Sequence, residues 1–293
     1  MLIGIITVLY NSDSVLPGFF SSLRDQTERR FRLYVIDNSA ADSGLKLAKA
    51  LAQASGVDAV FKFNDANVGI AAGNNQGIDL ALADGCTHVL LANNDTEFGA
   101  ETLGGLALAL QQSGARAVTP KIYYYGAGRL IWYAGGEINA WAMRTPHYGM
   151  MMQDTGQFDH QTEVRYAPTC FMLLSAEVFA TVGRMDDSYF VYYDDADFVW
   201  RMTLHGIHIA FAPKITVLHK VSTSTGGAES PFTLYYTNRN RMYFIRKNLH
   251  GVKKWLALGY ALLTRPLRLC LLPRAKASRA WRGVLDGLRM PVH

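Results

Sequence analysis

Several protein classes are excluded by what this chain lacks. It has three cysteines, Cys86, Cys170 and Cys270, an odd number with no metal-ligand spacing. They read as buried thiols, not as a disulfide framework or a zinc site. No apolar run at the N-terminus approaches the roughly eighteen residues of a membrane span. Met1 leads straight into L-I-G-I-I-T-V-L-Y, with no positive n-region and no cleavage site. The expectation is therefore a cytosolic protein without a signal peptide. Repeats and linkers are missing, and no nucleic-acid-binding motif is present. From Arg239 onward the chain nearly lacks acids while Arg and Lys crowd it.

What is present is a chain of 293 residues, 49% of them hydrophobic, with a formal net charge of +5. That is enough for one large domain or two small ones. Residues 2–10 read as a continuous apolar strand. Leu16, Phe19, Phe20 and Leu23 give 14–26 helical spacing. R-L-Y-V-I-D at 32–37 is a second strand, followed by a helix over 43–54 and a short strand over 57–63. Glycine and asparagine crowd 64–77, a helix continues to 84, and T-H-V-L-L-A-N is a fourth strand. Strands alternating with helices at this spacing predict an α/β fold with a Rossmann-like, mostly parallel central sheet covered on both faces. Ligands in such sheets bind beyond the carboxyl ends of the strands, where Tyr10, Asp37 and Asn93 to Asp95 fall.

Further along, a helix over 101–112 precedes a strand at 115–119. Residues 121–166, rich in Tyr, Trp, Gly and Met, read as an irregular insertion with a small hairpin that rims a pocket. C-F-M-L-L is a strand, S-A-E-V-F-A-T-V-G a helix, and Asp194 to Gly206 a second helix closed by its glycine. H-I-A-F-A-P is the final strand, with V-L-H-K beyond it.

Three polar positions carry the chemistry. Asp95 of L-L-A-N-N-D-T ends a hydrophobic strand. It either caps a helix starting at T-E-F-G-A-E or binds a hard divalent ion bridging two phosphates. Asn93 and Asn94 are placed to bond a sugar or phosphate. Asp194, Asp195 and Asp197 open a helix, where the dipole favours acids. Three acids in four positions exceed capping needs, and crowded like charges raise a carboxyl pKa towards that of a usable base. The run Y-F-V-Y-Y ahead of them limits solvent and offers stacking faces. His219 follows the last strand; it is either structural or a metal ligand at the same sheet edge. Arg201, in the acidic helix, is placed to pair with an Asp or a phosphate. Gly69, Gly73 and Gly77 do not have dinucleotide-fingerprint spacing and imply close backbone approach to a packed helix or to a donor.

N67-V-G-I-A-A-G-N-N-Q-G77, L90-L-A-N-N-D95, F190-V-Y-Y-D-D-A-D-F-V-W-R201, H219-K with S222-T-S-T-G-G, and P231-F-T-L-Y-Y-T-N-R-N-R241 together resemble family 2 glycosyltransferases over roughly residues 3–246. The likeness is strongest to the bacterial rhamnosyltransferase-like branch of cell-surface polysaccharide synthesis. It implies a GT-A fold, a nucleotide-sugar donor (dTDP-rhamnose first, or a UDP-sugar), Mg²⁺ or Mn²⁺, and inversion at the anomeric carbon. Carried over by position, Thr7 to Tyr10 and Asp37 surround the nucleobase and ribose, with Asn67, Gly69 and Asn74 on the donor side. Asp95 is the metal-binding end of the Asp-x-Asp element. Asp195 is the base with Asp194 beside it, and His219 meets the metal or diphosphate. Asn93 stands where that element has its first acid, and Asp194-Asp195 replaces the commoner Glu-Asp.

The expected organisation is a GT-A domain over 1–246 and a basic helical extension over 247–293. Cations beside Leu, Trp and Tyr in that extension suit helices lying on an anionic membrane surface, as a lipid-linked glycan acceptor would require. The alternative is a helical pair that packs on the domain or forms a homodimer. A peripheral location at the inner face of the cell membrane follows from the first reading. A sugar nucleotidyltransferase would want a Gly-rich basic loop after the first strand, and L-Y-N-S-D-S-V-L is neither.

Overall fold

A computed structural model of the chain describes residues 1–139, 141–221 and 229–292. The S-T-S-T-G-G stretch at 222–227 lies outside the described residues. The first half alternates as its apolar runs require: β1 (Ile3–Leu9), α1 (Leu16–Arg24), β2 (Phe31–Asp37), α2 (Ser43–Ser55), β3 (Ala59–Phe63), α3 (Ile70–Ala83) and β4 (His88–Ala92). The face of α1 read from the sequence, Leu16, Phe19, Phe20 and Leu23, is buried. T-E-F is not a helix start but a short strand, β5 (Thr96–Phe98), and the helix α4 waits until Thr102–Ser113. β6 (Ala117–Tyr124) and β7 (Ile131–Tyr133) then form the hairpin expected in the insertion, followed by β8 (Glu163–Val164), β9 (Phe171–Ser175), α5 (Ala176–Val182) and α6 (Asp194–Leu204). The last strand is longer than its apolar run suggested. V-L-H belongs to it, so β10 spans Ile209–His219 with a register shift between Ala212 and Thr216.

One sheet of ten strands joins these, in the order β3-β2-β1-β4-β9-β6-β10-β5, with β7 paired to β6 and β8 to β10 off that path. β1, β2, β3, β4, β6 and β10 run in one direction. β9 runs against its two neighbours, so its start meets the carboxyl ends of the others. The chain winds from β1 outward to β3 and then crosses back to β4 on the other side of β1. Such a reversal opens a crevice at the carboxyl edge.

The glycines of 64–77 explain how closely α3 packs on the sheet. A Cβ on Gly77 would strike the Ile6 side chain, and one on Gly73 would come within 2.9 Å of Val8 Cγ1. Gly69 precedes α3 with φ of +89°, a left-handed conformation. Its missing Cβ would lie 2.7 Å from the carbonyl oxygen of Phe190. The close approach is therefore to β1 and to the turn before α6.

Three helices close the chain: α7 (Pro231–Asn248), α8 (Gly251–Leu269) and α9 (Arg274–Arg289). α7 starts on a Ser230 N-cap with Pro231 in its first turn, a favourable pairing that the sequence reading passed over. α9 returns along α7 with glycines at the contact. A Cβ on Gly283 would collide with the carbonyl of Tyr235, and one on Gly287 with that of Arg239. Backbone cannot yield as a side chain can, so Gly287→Leu is expected to destabilise the fold by about 1–3 kcal/mol. Urea unfolding of the two chains measures it, and an unchanged midpoint would mean that α9 is not held as described.

Candidate active site

The carboxyl ends of the strands converge on a cleft of about 810 Å³. β1 delivers Val8, Tyr10 and Ser12. The loop after β2 delivers Asn38, and the loop after β4 delivers Asn93 to Asp95. The reversed β9 is entered through Thr169 and Cys170, and β10 ends on His219. The insertion supplies Trp132, Arg144 and Tyr166, which confirms its expected place on the rim.

Asp95 does not cap a helix, since β5 follows it. Its Oδ1 is buried without a hydrogen-bond donor and lies 3.2 Å from Nε2 of His219. The imidazole stands edge-on to Trp132, with ring centroids 4.6 Å apart, and its Nδ1 has no partner. A carboxylate and an imidazole side by side at the cleft, each with a buried polar atom short of partners, fit a divalent cation. No group of three or more His, Cys, Asp or Glu suited to a metal occurs among the described residues. Two protein donors suit an ion that completes its shell with substrate phosphates and water, not one in a dedicated cage. Asn93 lines the cleft, its backbone tied to Cys170 and Thr96. Asn94 donates to the carbonyl of Val8 at 2.6 Å, joining the ends of β4 and β1.

Asp194 and Asp195 occupy the first turn of α6, and the N-cap is Tyr193. The turn that presents them is strained. Phe190, Tyr192 and Tyr193 all have positive φ (66°, 64° and 67°), at a cost of about 1–3 kcal/mol for each such residue. α7 holds this turn in place. The side-chain amide of Asn240 donates to the carbonyls of Tyr189, Val191 and Tyr192 at 2.9, 2.7 and 2.8 Å. Arg239 donates to those of Ser188 and Tyr189. Arg241 donates to the Tyr193 hydroxyl, which itself donates to the carbonyl of Met143.

Asp195 is partly exposed to the cleft, while Asp194 is buried. Oδ2 of Asp195 accepts from the Tyr166 hydroxyl at 2.5 Å, and Oδ1 from the Ala196 N–H at 2.7 Å. Burial raises the pKa of Asp195 and these two donors pull it back. Asp194 is pushed further up, by deeper burial and then by the charge on Asp195. Burial therefore favours the neutral form of both carboxyls, and the charge on one opposes ionisation of the other. The Cys170 thiol is pushed up by burial and then by Asp95 and Asp195, so both acids act on one buried point between β4 and β6. His147 stacks on Tyr166 and is depressed to about 4 by burial, leaving it neutral behind the cleft.

Not every candidate reaches the cleft. Asp197 is fully buried and accepts from Tyr189, Asn248 and Arg201, with Lys247 2.9 Å away. Arg201 spends its guanidinium on Asp197 and on the carbonyls of Val182 and Arg184, so it cannot reach a phosphate in the cleft. Asn74 is buried against Met185. Thr7 and Asp37 are fully buried behind the wall that Asn38 forms. Thr7 Oγ1 and Asp37 Oδ2 have no partner there. Asn67 and Gly69 do line the cleft, with Gly69 N–H donating to Asn67 Oδ1. Asn38, Tyr166, Trp132, Arg144 and Arg241 were not singled out from the sequence. Of these only Arg241 stood inside a recognised stretch. Arg144 and Arg241 line the cleft without an ion pair to any carboxylate among the described residues.

Known proteins share this architecture. Over 246 residues the chain is 24% identical to the low-salt glycan biosynthesis hexosyltransferase Agl10 of Haloferax volcanii, covering 82% of this chain and 74% of that one. Over 189 residues it is 25% identical to the dTDP-rhamnosyl transferase RfbF of Shigella flexneri, covering 62% and 61%. The solved mannosyltransferase PcManGT of Pyrobaculum calidifontis, in complex with GDP-Man and Mn²⁺, superposes with a TM-score of 0.60 at 14% identity, covering 98% of this chain and 84% of that one. These likenesses give the fold as GT-A, as the sequence implied. The profile of Glycosyl transferase family 2 matches residues 4–183, which carry the strands and loops that build the Asp95 side of the cleft. More than half of the chain carries that match, and the chain belongs to glycosyl transferase family 2.

Proposed function

We propose that this glycosyltransferase moves a sugar, with inversion, from a nucleoside diphosphate donor to a hydroxyl of a growing surface glycan, with Asp195 as the base. The observation that carries the reading is one cleft with two separate acidic stations: Asp95 with His219 on one wall, and Asp195 held by Tyr166 on the other. The first station would hold Mg²⁺ or Mn²⁺ beside a diphosphate, and the second suits a proton acceptor.

The nucleoside occupies the β1–β2 side, where Tyr10, Ser12, Asn38 and Asn67 offer an aromatic face and polar edges. Asp37 and Thr7 back that wall. Asp195 takes the proton from the acceptor hydroxyl. The oxygen forms its bond to the anomeric carbon as the bond to the phosphate oxygen breaks, and that electron pair leaves with the nucleoside diphosphate. A divalent ion, when bound, would supply positive charge against the departing diphosphate. Asp95 and His219 would hold it, and Arg144 and Arg241 add positive charge from the cleft wall. Tyr166 and the Ala196 N–H aim the carboxylate, and aromatic residues of the strained turn exclude water.

For the donor, dTDP-rhamnose remains the first choice, supported by the likeness to a dTDP-rhamnosyl transferase. A UDP-hexose, UDP-N-acetylhexosamine or UDP-galactofuranose is the alternative, favoured by the equally near hexosyltransferase. A screen that follows nucleoside diphosphate release across these donors separates them, and release from none would sink the transferase reading.

Asp195→Asn is expected to fold normally and lose about 10²–10⁴-fold in kcat. Near-normal turnover would remove Asp195 as the base. Tyr166→Phe deletes a donor that favours the charged carboxylate, so the pKa of Asp195 rises. The acid limb of kcat/KM should then move to higher pH, with activity lost first on the acidic side. A profile of unchanged shape would refute the link. Asp95→Ala should weaken donor binding in the presence of Mn²⁺ and leave the weaker metal-free binding unaltered. Calorimetry in both conditions reads this out.

A further inference from the structure

α8 is an amphipathic helix turned inside out. It touches α7 and α9 and buries Ala257, Leu258 and Ala261. On the opposite side Val252, Trp255, Leu256 and Leu263 follow one another at helical spacing, and they are 72%, 71%, 51% and 75% exposed. Tyr260 and Leu262 flank this stripe, and the turn after the helix leaves Leu271 85% exposed. A helix on a protein surface ordinarily turns its apolar arc inward and its charges outward. Here the apolar arc faces solvent, and an uncovered patch of this kind marks a binding face.

The charge around the stripe says what covers it. From Ser230 to Leu285 the sequence contains no Asp or Glu. Over the same span stand Lys253, Lys254, Arg274, Lys276, Arg279 and Arg282, besides the cations of α7. Two of them are partly neutralised from outside the span, Lys276 by Glu229 at 3.5 Å and Arg282 by Asp286 at 3.8 Å. A cationic surface without acids repels a second copy of itself and attracts an anionic one. No helix among the described residues is long and apolar enough to cross a membrane. Exposed Trp, Leu and Val on one arc with lysines beside them are the composition of a helix that lies in the lipid interface.

We propose that α8 docks this protein on an anionic lipid surface, with Val252, Trp255, Leu256 and Leu263 inserted among the acyl chains and the basic residues of α8 and α9 against the headgroups. The proposal stands apart from the transferase reading because its readout is lipid binding. α8 also packs against α7, whose Phe232, Thr233, Thr237 and Arg241 line the cleft. Docking through α8 therefore fixes the cleft relative to the membrane, as a lipid-linked acceptor requires.

Sedimentation of the full chain with vesicles of phosphatidylcholine and phosphatidylglycerol, against phosphatidylcholine alone, tests the idea. The expected result is binding to the anionic vesicles that weakens as salt is added. The double variant Trp255→Glu, Leu263→Glu changes only solvent-facing positions, and its thermal melt should match that of the parent. It should lose binding on the order of tenfold or more, and Lys253→Gln with Arg274→Gln should weaken it in part. Three outcomes would overturn the proposal. One is no sedimentation with anionic vesicles. Another is equal binding by the double glutamate variant. The third is a dimer, seen by analytical ultracentrifugation, that the glutamates break while lipid binding is absent throughout; a second copy would then be the partner.

Discussion

One side-chain amide keeps one wall of the cleft in shape. Asn240 offers two N–H bonds to three carbonyls of the segment Tyr189–Tyr192, deep in the interior where no water can substitute. Three residues of the adjoining turn sit at positive φ, a conformation that bulky aromatic side chains resist. A turn with that much strain persists only where its surroundings over-determine it. Asn240, Arg239 and the Tyr193 hydroxyl bonds supply that excess of constraint. The result is a helix whose first turn carries two carboxyls at the cleft, although its N-cap is a tyrosine with no capping side chain.

The opposite wall is built by a different logic. There the parallel strands end together, and position follows from register, not from a clamp. β1 and β4 are paired along Ile3–Ile6, and Asn94 bonds across their ends, so Asp95 has little freedom. β10 approaches from the far side of β9 and β6, yet its bulge and its pairing with β5 bring His219 back to Asp95. The two walls meet at Cys170, just before the strand that runs against its neighbours. A wholly parallel sheet would have placed the carboxyl end of that strand there, not its start.

Much of this was legible in the sequence. The strands β1, β2 and β4 are short apolar runs closed by polar residues, and such runs have few alternatives. That Asp95, Asp195 and His219 reach the cleft was legible because Asp95 comes soon after β4, Asp195 opens α6 and His219 ends β10. Arg201 stood open between an Asp and a phosphate because periodicity does not tell which face of an acidic helix looks inward, and the structure pairs it with Asp197. They lie four residues apart on the same face, and that face is buried. Tyr166 escaped notice because the insertion has no period to anchor it. β5 was hidden in three residues that pair only with the distant β10. The helical nature of α7 was also missed, although Asn240 and Arg239 were in plain view within it. Their role depends on carbonyls about fifty residues earlier in the chain, made available only by a turn that local propensity argues against.

The junction at Gly69 has a consequence for how this chain can vary. The N–H of Ile70, at the start of α3, donates to the carbonyl of Phe190 at 2.7 Å, and no side chain fits at Gly69 beside it. The loop before α3 and the turn before α6 therefore share a backbone contact with no slack. Neither can be lengthened, shortened or exchanged for that of a relative without refitting the other. Transplanting a relative's loop before α3 onto this scaffold is in effect a graft of two segments more than a hundred residues apart, and recombination that cuts between them would separate partners that must travel together.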